Sequence, residues 1–116
     1  MYTIQLHNLT FFSFHGLHEE EKIIGNTFEV SIDIFIGDIP SVKSIKDTLN
    51  YVEVYRVIKE RMWIPTPLLE NIAEDIVHSL QSLDKRIKEI NISIKKKHPP
   101  ITHFAGSVGI TLKKTF

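Results

Sequence analysis

Lys96 stands where a core-facing strand residue is expected. The run Lys88-Glu89-Ile90-Asn91-Ile92-Ser93-Ile94-Lys95-Lys96 alternates, with Ile90, Ile92 and Ile94 on one face and Asn91, Ser93 and Lys95 on the other. A strand repeats every two residues, so Lys96 continues the isoleucine face. An ammonium aimed along an inner face just before His98-Pro99-Pro100 suits a lined cavity. The alternative is a sheet that simply ends there, its lysine stem reaching out to water. Glu70 is the second candidate. It falls four residues after Thr66, with Pro67, Glu74 and His78, off the apolar stripe of its helix. Beside the free N–H groups of a helix start, a carboxylate makes a donor-and-acceptor pair suited to a heterocycle's amide edge. The same carboxylate could do no more than favour the helix dipole.

Three further residues could carry chemistry, each with a plainer explanation. Tyr51 opens a helix and reads equally as a core aromatic with a hydrogen-bonded hydroxyl. Glu21 sits in the run Glu19-Glu20-Glu21-Lys22, which reads as a solvated loop, and His15 beside Gly16 could pack a strand end or act on a substrate. The six histidines include no His-x-His pair and none at four-residue helical spacing, so neither a metal nor another cofactor is expected.

The elements that must position these groups follow from hydrophobic period. A first strand runs from Tyr2 to about His15 and closes at Gly16, and Gly25-Asn26 reads as a turn. A second strand places Phe28, Val30, Ile32, Ile34 and Ile36 on one face, and pairs with the first as an antiparallel hairpin. The period then changes. Tyr51, Val54, Tyr55, Ile58 and Met62 define an amphipathic helix with Asn50 as its N-cap. Thr66-Pro67 reads as the cap and first residue of another helix, burying Leu69, Ile72, Ala73, Ile76, Leu80 and Leu83. Strands over Lys85–Lys96 and Gly106–Lys113 complete a ββααββ order, an α+β arrangement of four antiparallel strands with two helices on one face. Such a sheet has two open edges with few charges or prolines to protect them, so self-association is expected.

At 116 residues the chain is expected to form one domain, 1–116. Its 14 basic and 14 acidic residues balance, which argues against a nucleic-acid partner despite the Lys95-Lys96-Lys97 run. The absence of cysteine excludes disulfides, zinc thiolates and thiol nucleophiles. With no apolar run of membrane-spanning length and no signal-peptide pattern at the start, a cytoplasmic location and no membrane partner are expected.

Taken in order, four motifs resemble the dihydroneopterin aldolase family. They are Phe14-His15-Gly16 with Glu21 and Gly25, Asp47-Thr48-Leu49-Asn50-Tyr51 with Glu53-Val54-Tyr55, Leu68-Leu69-Glu70, and Lys96 before Pro99-Pro100 and Val108-Gly109. The resemblance implies the tunnelling fold, in which subunits join sheet to sheet into a ring-shaped barrel. Two tetramer rings stack into a homo-octamer, with active sites between subunits. It further implies that Glu70 anchors a pterin's amino-pyrimidinone edge with the backbone at Leu69. Tyr51 would flank the pterin from the adjacent subunit, Glu21 would lie near the trihydroxypropyl tail, and Lys96 would serve the proton transfers.

The implied reaction is a retro-aldol cleavage in folate biosynthesis that yields 6-hydroxymethyl-7,8-dihydropterin and glycolaldehyde. The pterin's C6=N5 bond accepts the electrons, so neither metal nor Schiff base is required. Positioning and general acid–base catalysis remain for the protein, the latter worth about 10²–10⁴ in rate, with the Tyr51 hydroxyl a candidate for delivering a proton to the enamine. Two departures stand out. Lys97 follows Lys96 where the family commonly has proline or an acidic residue, and Thr102-His103-Phe104-Ala105-Gly106-Ser107 replaces the family's usual ending. The latter is similar to the related dihydroneopterin triphosphate 2′-epimerase, for which Lys95 and Lys97 could hold a triphosphate. A non-enzymatic oligomer binding nucleic acid through Lys95–Lys97 and Phe104 is the alternative of a different class.

Overall fold

The computed structural model describes residues 1–37, 39 and 41–116. Four strands, β1 (Tyr2–Ser13), β2 (Asn26–Ile36), β3 (Ile87–Lys96) and β4 (Val108–Thr115), form one antiparallel sheet in the order β1-β2-β3-β4. Between β1 and β2 lies a short helix α1 (Glu19–Ile24); between β2 and β3 come a 3₁₀ turn (Ile45–Asp47), α2 (Tyr51–Met62) and α3 (Leu69–Leu83). This is the expected α+β architecture with one helix added. The glutamate run is that helix, and not a loop. Three acidic residues in a first turn are favoured by the helix dipole.

β2 explains the core. Its alternate residues Phe28, Val30, Ile32, Ile34 and Ile36 are fully buried, and Ile90, Ile92 and Ile94 of β3 lie beside them in register. Fully burying each such side chain contributes about 1.5–3 kcal/mol. From the helices, Val54, Ile58 and Met62 of α2 and Leu69, Ile72, Ala73, Ile76, Val77 and Leu80 of α3 close over this face. Tyr51, Tyr55 and Leu83, expected in the core, lie outside it, at 62%, 39% and 41% exposure. For Tyr51 and Leu83 the positions at the helix ends overhang the sheet. Tyr55 instead stacks on Phe11 of β1, with ring centroids 6.1 Å apart.

Two boundaries moved for identifiable reasons. β1 stops at Ser13, whose Oγ donates to the Met62 carbonyl at 2.9 Å, so the chain turns away before His15. α3 begins at Leu69 and not at Pro67, because the Thr66 hydroxyl is occupied elsewhere. It donates to the Ile64 carbonyl and accepts from Arg61 Nη1, both at 2.8 Å. Leu68 therefore occupies the N-cap position with no side-chain cap, and Glu70 is the second helical residue. β3 and β4 begin two residues later than expected, and β4 runs on to Thr115. In β1 a bulge between Leu6 and Leu9 places Asn8 at φ 60°. It moves the inward phase from Ile4 and Leu6 to Leu9 and Phe11.

α2 lies over β1, whereas α3 lies over β3 and β4. Each helix thus borders a different open edge of the sheet.

Candidate active site

Strand parity places Lys96 opposite Phe28, in line with Ile94 and pointing inward. Its side chain is only 14% exposed, and its ammonium donates to Glu21 Oε2. Glu21, 5% exposed, is the least expected member of the site. The α1 turn directs it inward, and its Oε1 accepts the His18 backbone N–H at 3.3 Å in the manner of a capping box. Gly16 makes the space: it sits at φ +145°, and a Cβ there would overlap the Glu21 carboxyl group.

The neighbouring wall comes from α3. Leu69 is buried, while Glu70 is exposed and has no hydrogen bond or ion pair among the described residues. With Leu68 unable to cap, the N–H groups of Leu69 and Glu70 are left available beside that carboxylate, while that of Asn71 donates to the Leu68 carbonyl at 3.2 Å. The third wall is the 97–101 segment, held by an Asn26–His98 clasp. Asn26 Nδ2 donates to the His98 carbonyl at 2.6 Å and its Oδ1 accepts the His98 N–H at 3.1 Å. Lys97 N–H adds a bond to the Thr27 carbonyl at 3.0 Å. Gly25-Asn26, read as a turn, is instead the end of α1 followed by a buried strand residue.

These walls enclose a cleft of about 310 Å³ that Glu21, Lys96, Leu69 and Glu70 all line, with Pro99, Pro100, Ile101 and the β4 residues Val108, Gly109 and Ile110. Four of the five residues that the resemblance assigns to the site therefore meet in one place. Tyr51 does not. It stands exposed at the start of α2, which borders β1, at the far edge of the sheet from β4.

His15 carries a positioning role that spacing left undecided. Fully buried and edge-on to Phe28 with centroids 5.0 Å apart, its Nδ1 accepts the Thr66 N–H at 3.1 Å. In return Gly16 N–H donates to the Thr66 carbonyl at 3.0 Å. This paired bridge joins the end of β1 to the approach of α3. Burial, then the charge of Arg61 and that of Lys96, lower the His15 pKa to about 4. An acceptor Nδ1 requires the neutral imidazole with its proton on Nε2, an atom with no partner among the described residues. His15 touches no cleft surface, so it holds the site and takes no direct part in it.

A buried ammonium–carboxylate pair can hold and move a proton in a sheltered space. An exposed carboxylate beside free N–H groups can grip a flat ring that carries both donors and acceptors on one edge. Among the described residues no three His, Cys, Asp or Glu side chains converge as metal ligands.

Comparison with known proteins agrees in sequence and in fold. The family model described as dihydroneopterin aldolase (FolB) matches residues 4–113. A dihydroneopterin aldolase of Staphylococcus epidermidis is 34% identical over 112 residues, covering 94% of this chain and 93% of the relative. That of Bacillus subtilis is 25% identical over 114 residues, covering 96% and 95%. Among solved structures, Escherichia coli dihydroneopterin aldolase in complex with neopterin superposes with a TM-score of 0.85 at 18% identity, over 98% of this chain and 99% of that one.

Proposed function

Given that the chain belongs to the dihydroneopterin aldolase family, we propose that it cleaves 7,8-dihydroneopterin by a retro-aldol reaction. The observation that carries this reading is the meeting of the buried Lys96–Glu21 pair with the unpaired Glu70 in one cleft. Glu70 accepts from the ring's amino and N–H groups, while N–H groups at the start of α3 donate to its carbonyl. The ring so held directs its side chain toward Lys96. Removal of the 2′-hydroxyl proton breaks the C1′–C2′ bond and releases glycolaldehyde. The electron pair moves into the C6=N5 system, and proton delivery to C1′ completes 6-hydroxymethyl-7,8-dihydropterin. Glu21 fixes the Lys96 ammonium, which orients a water that accepts the first proton; Lys96 can take that proton itself only as the neutral amine, after its own proton has passed to Glu21. Tyr51 delivers the second proton.

For Tyr51 to do so it must come from another subunit. Several features support that arrangement. The subunit measures 52 × 23 × 21 Å with a radius of gyration of 15.5 Å, against about 13 Å for a compact chain of this length. Leu17, Ile23 and Ile24 are exposed around the cleft, and Tyr51 and Val52 at the opposite edge. Joining the β4 edge of one copy to the β1 edge of the next covers both patches and propagates head to tail. Such a contact closes as a ring when the rotation from copy to copy divides a full turn. We assign the assembly to tetramer rings stacked in pairs.

The choice of an unphosphorylated substrate rests on the flanking lysines. Lys97 Nζ lies 3.2 Å from Glu29 and Lys95 points to the opposite face of the sheet, so neither offers a free charge to a triphosphate in the cleft. Incubation with 7,8-dihydroneopterin and, separately, with its triphosphate tests the proposal. Glycolaldehyde from the first compound is the expected result. A 2′-epimer as the sole product, or preference for the triphosphate, would replace it with the epimerase reading.

A further inference from the structure

Arg86 directly precedes β3, at the end of that strand remote from Lys96, and all three nitrogens of its guanidinium are engaged. Asp84 grips it three times: Nε to Oδ1 at 3.0 Å, Nε to Oδ2 at 3.2 Å and Nη2 to Oδ2 at 2.6 Å. Its backbone is fixed as well, with its N–H on Asp84 Oδ1 at 2.9 Å and its carbonyl accepting from Gly37 N–H at 3.0 Å. The guanidinium face left over is turned on a different segment. Nη1 donates to the Asp47 carbonyl at 3.1 Å and Nη2 reaches the Thr48 carbonyl at 3.5 Å.

Those two carbonyls end the 3₁₀ turn, and only a short stretch of chain separates them from α2. Leu49 is buried, Asn50 Oδ1 accepts the Val52 N–H at 3.0 Å, and Tyr51 begins α2. Upstream, Asp47 Oδ2 gathers the N–H groups of Lys43 and Ser44 at 3.0 and 3.2 Å. Among the described residues, the connection to Tyr51 thus has one anchor outside itself that is both charged and doubly bonded. That anchor is Arg86.

Resting on the reading of Tyr51 as a shared-site residue, we propose that Arg86, clamped by Asp84, is a positioning residue for the active site of the neighbouring subunit. A guanidinium can bond two adjacent carbonyls while keeping a carboxylate on its other edge, which a lysine cannot do. It sets where Tyr51 projects from the β1-side edge, and so acts across the interface on a cleft that its own subunit does not supply.

Complementation between subunits defective in different halves of the site tests this, with 7,8-dihydroneopterin held well below the raised KM of Glu70→Ala so that this variant alone shows little turnover. Arg86→Gln is expected to lower kcat for 7,8-dihydroneopterin by about 10²-fold, the cost of misplacing a reacting group by an ångström, with KM changed less. Refolded with Glu70→Ala at equal ratio, Arg86→Gln should recover about a quarter of wild-type turnover, because one interface in four then pairs a sound cleft with a sound Tyr51 side. Refolded with Tyr51→Ala it should recover nothing, since no interface contains a sound Tyr51 side. Mixing Tyr51→Ala with Glu70→Ala is the control. If the control recovers but Arg86→Gln is rescued by Tyr51→Ala, or by neither, the assignment of Arg86 is overturned while the shared site stands. If the control itself stays inactive in mixed oligomers, the shared-site reading fails and takes the proposal with it; wild-type protein without turnover rejects both earlier still. Should Arg86→Gln not assemble, Asp84→Asn loosens the same clamp and should fall in the same complementation group.

Discussion

The two edges of this sheet carry chemistry in opposite ways. At the β3–β4 edge, Lys96 and Glu21 are charges taken out of water and held against each other, 14% and 5% exposed. At the β1 edge, Tyr51 is 62% exposed, and the chain leading to it is ordered by the Asn50 side-chain cap and by the Arg86 guanidinium. On the proposed shared-site reading, the first is one half of the site, already formed within a subunit, and the second is the other half, left in water until a neighbouring subunit covers it. Their difference implies that activity and stability respond separately to mutation at the two edges.

The largest effect should come from Lys96. Lys96→Met is expected to cut kcat by about 10²–10⁴-fold and also to cost about 3–5 kcal/mol of stability by leaving Glu21 buried and unpaired. Steady-state kinetics and denaturant titration read the two losses. Adding Glu21→Gln should restore most of the stability and none of the rate, and a double variant as unstable as the single one would break the comparison.

Glu70→Ala should act on binding. Loss of a charged acceptor for the ring edge is worth roughly 1.5–3 kcal/mol, so KM or the pterin Kd should rise by about 10- to 100-fold while the melting temperature holds. A fall in melting temperature without a change in Kd would assign Glu70 to the fold instead.

His15 sharpens the contrast through pH. Its folded pKa of about 4 lies below the ordinary 6.5, so between these values the unfolded chain binds a proton that the native one refuses. Stability on this account is complete above about pH 6.5 and declines as pH falls toward 4, by roughly 3 kcal/mol in total. His15→Asn, which keeps an acceptor for Thr66 N–H, should flatten that slope in urea titrations at pH 4.5 and 6.5. An unchanged slope would locate the acid sensitivity in another group; Asp84 is not that group, because the Arg86 hydrogen bonds hold its carboxyl below its ordinary 3.8 and its contribution is lost only at lower pH than this window.

The smallest effect on stability is expected at Tyr51. Tyr51→Ala should change the unfolding free energy of the dissociated subunit by no more than about 0.5 kcal/mol, although it removes activity. A large destabilisation would mean that the ring is already part of its own subunit's core.

How much of this could be read in advance differs by residue. Lys96 was legible because strand alternation is local and strict, and β3 keeps its phase from Ile90 to Lys96, beyond an irregularity at its start. Glu70 was legible as a first-turn carboxylate, but its helical position was not. Thr66 has the composition of a cap, and only the folded chain shows its hydroxyl taken by Ile64 and Arg61. Glu21 was hidden, since a glutamate among glutamates declares nothing about burial until Gly16 and Lys96 arrive around it. The aromatic stripe of α2 overstated the core for a different reason. Periodicity identifies a face, and it does not say where along that face the sheet ends.

The Lys96–Glu21 pair spans 75 positions of the chain. The two hairpins, β1–β2 and β3–β4, are local and can zip independently, but β2 meets β3 only after the intervening helical third has been brought round. Contacts of such long range are paid for in loop-closure entropy and come late in folding. Until then both charges remain hydrated, and neither faces the desolvation that isolated burial would impose. The Lys96–Glu21 pair is therefore expected to form late in the folding of a subunit, once the sheet has closed, and the pair marks a chain ready to meet its neighbours.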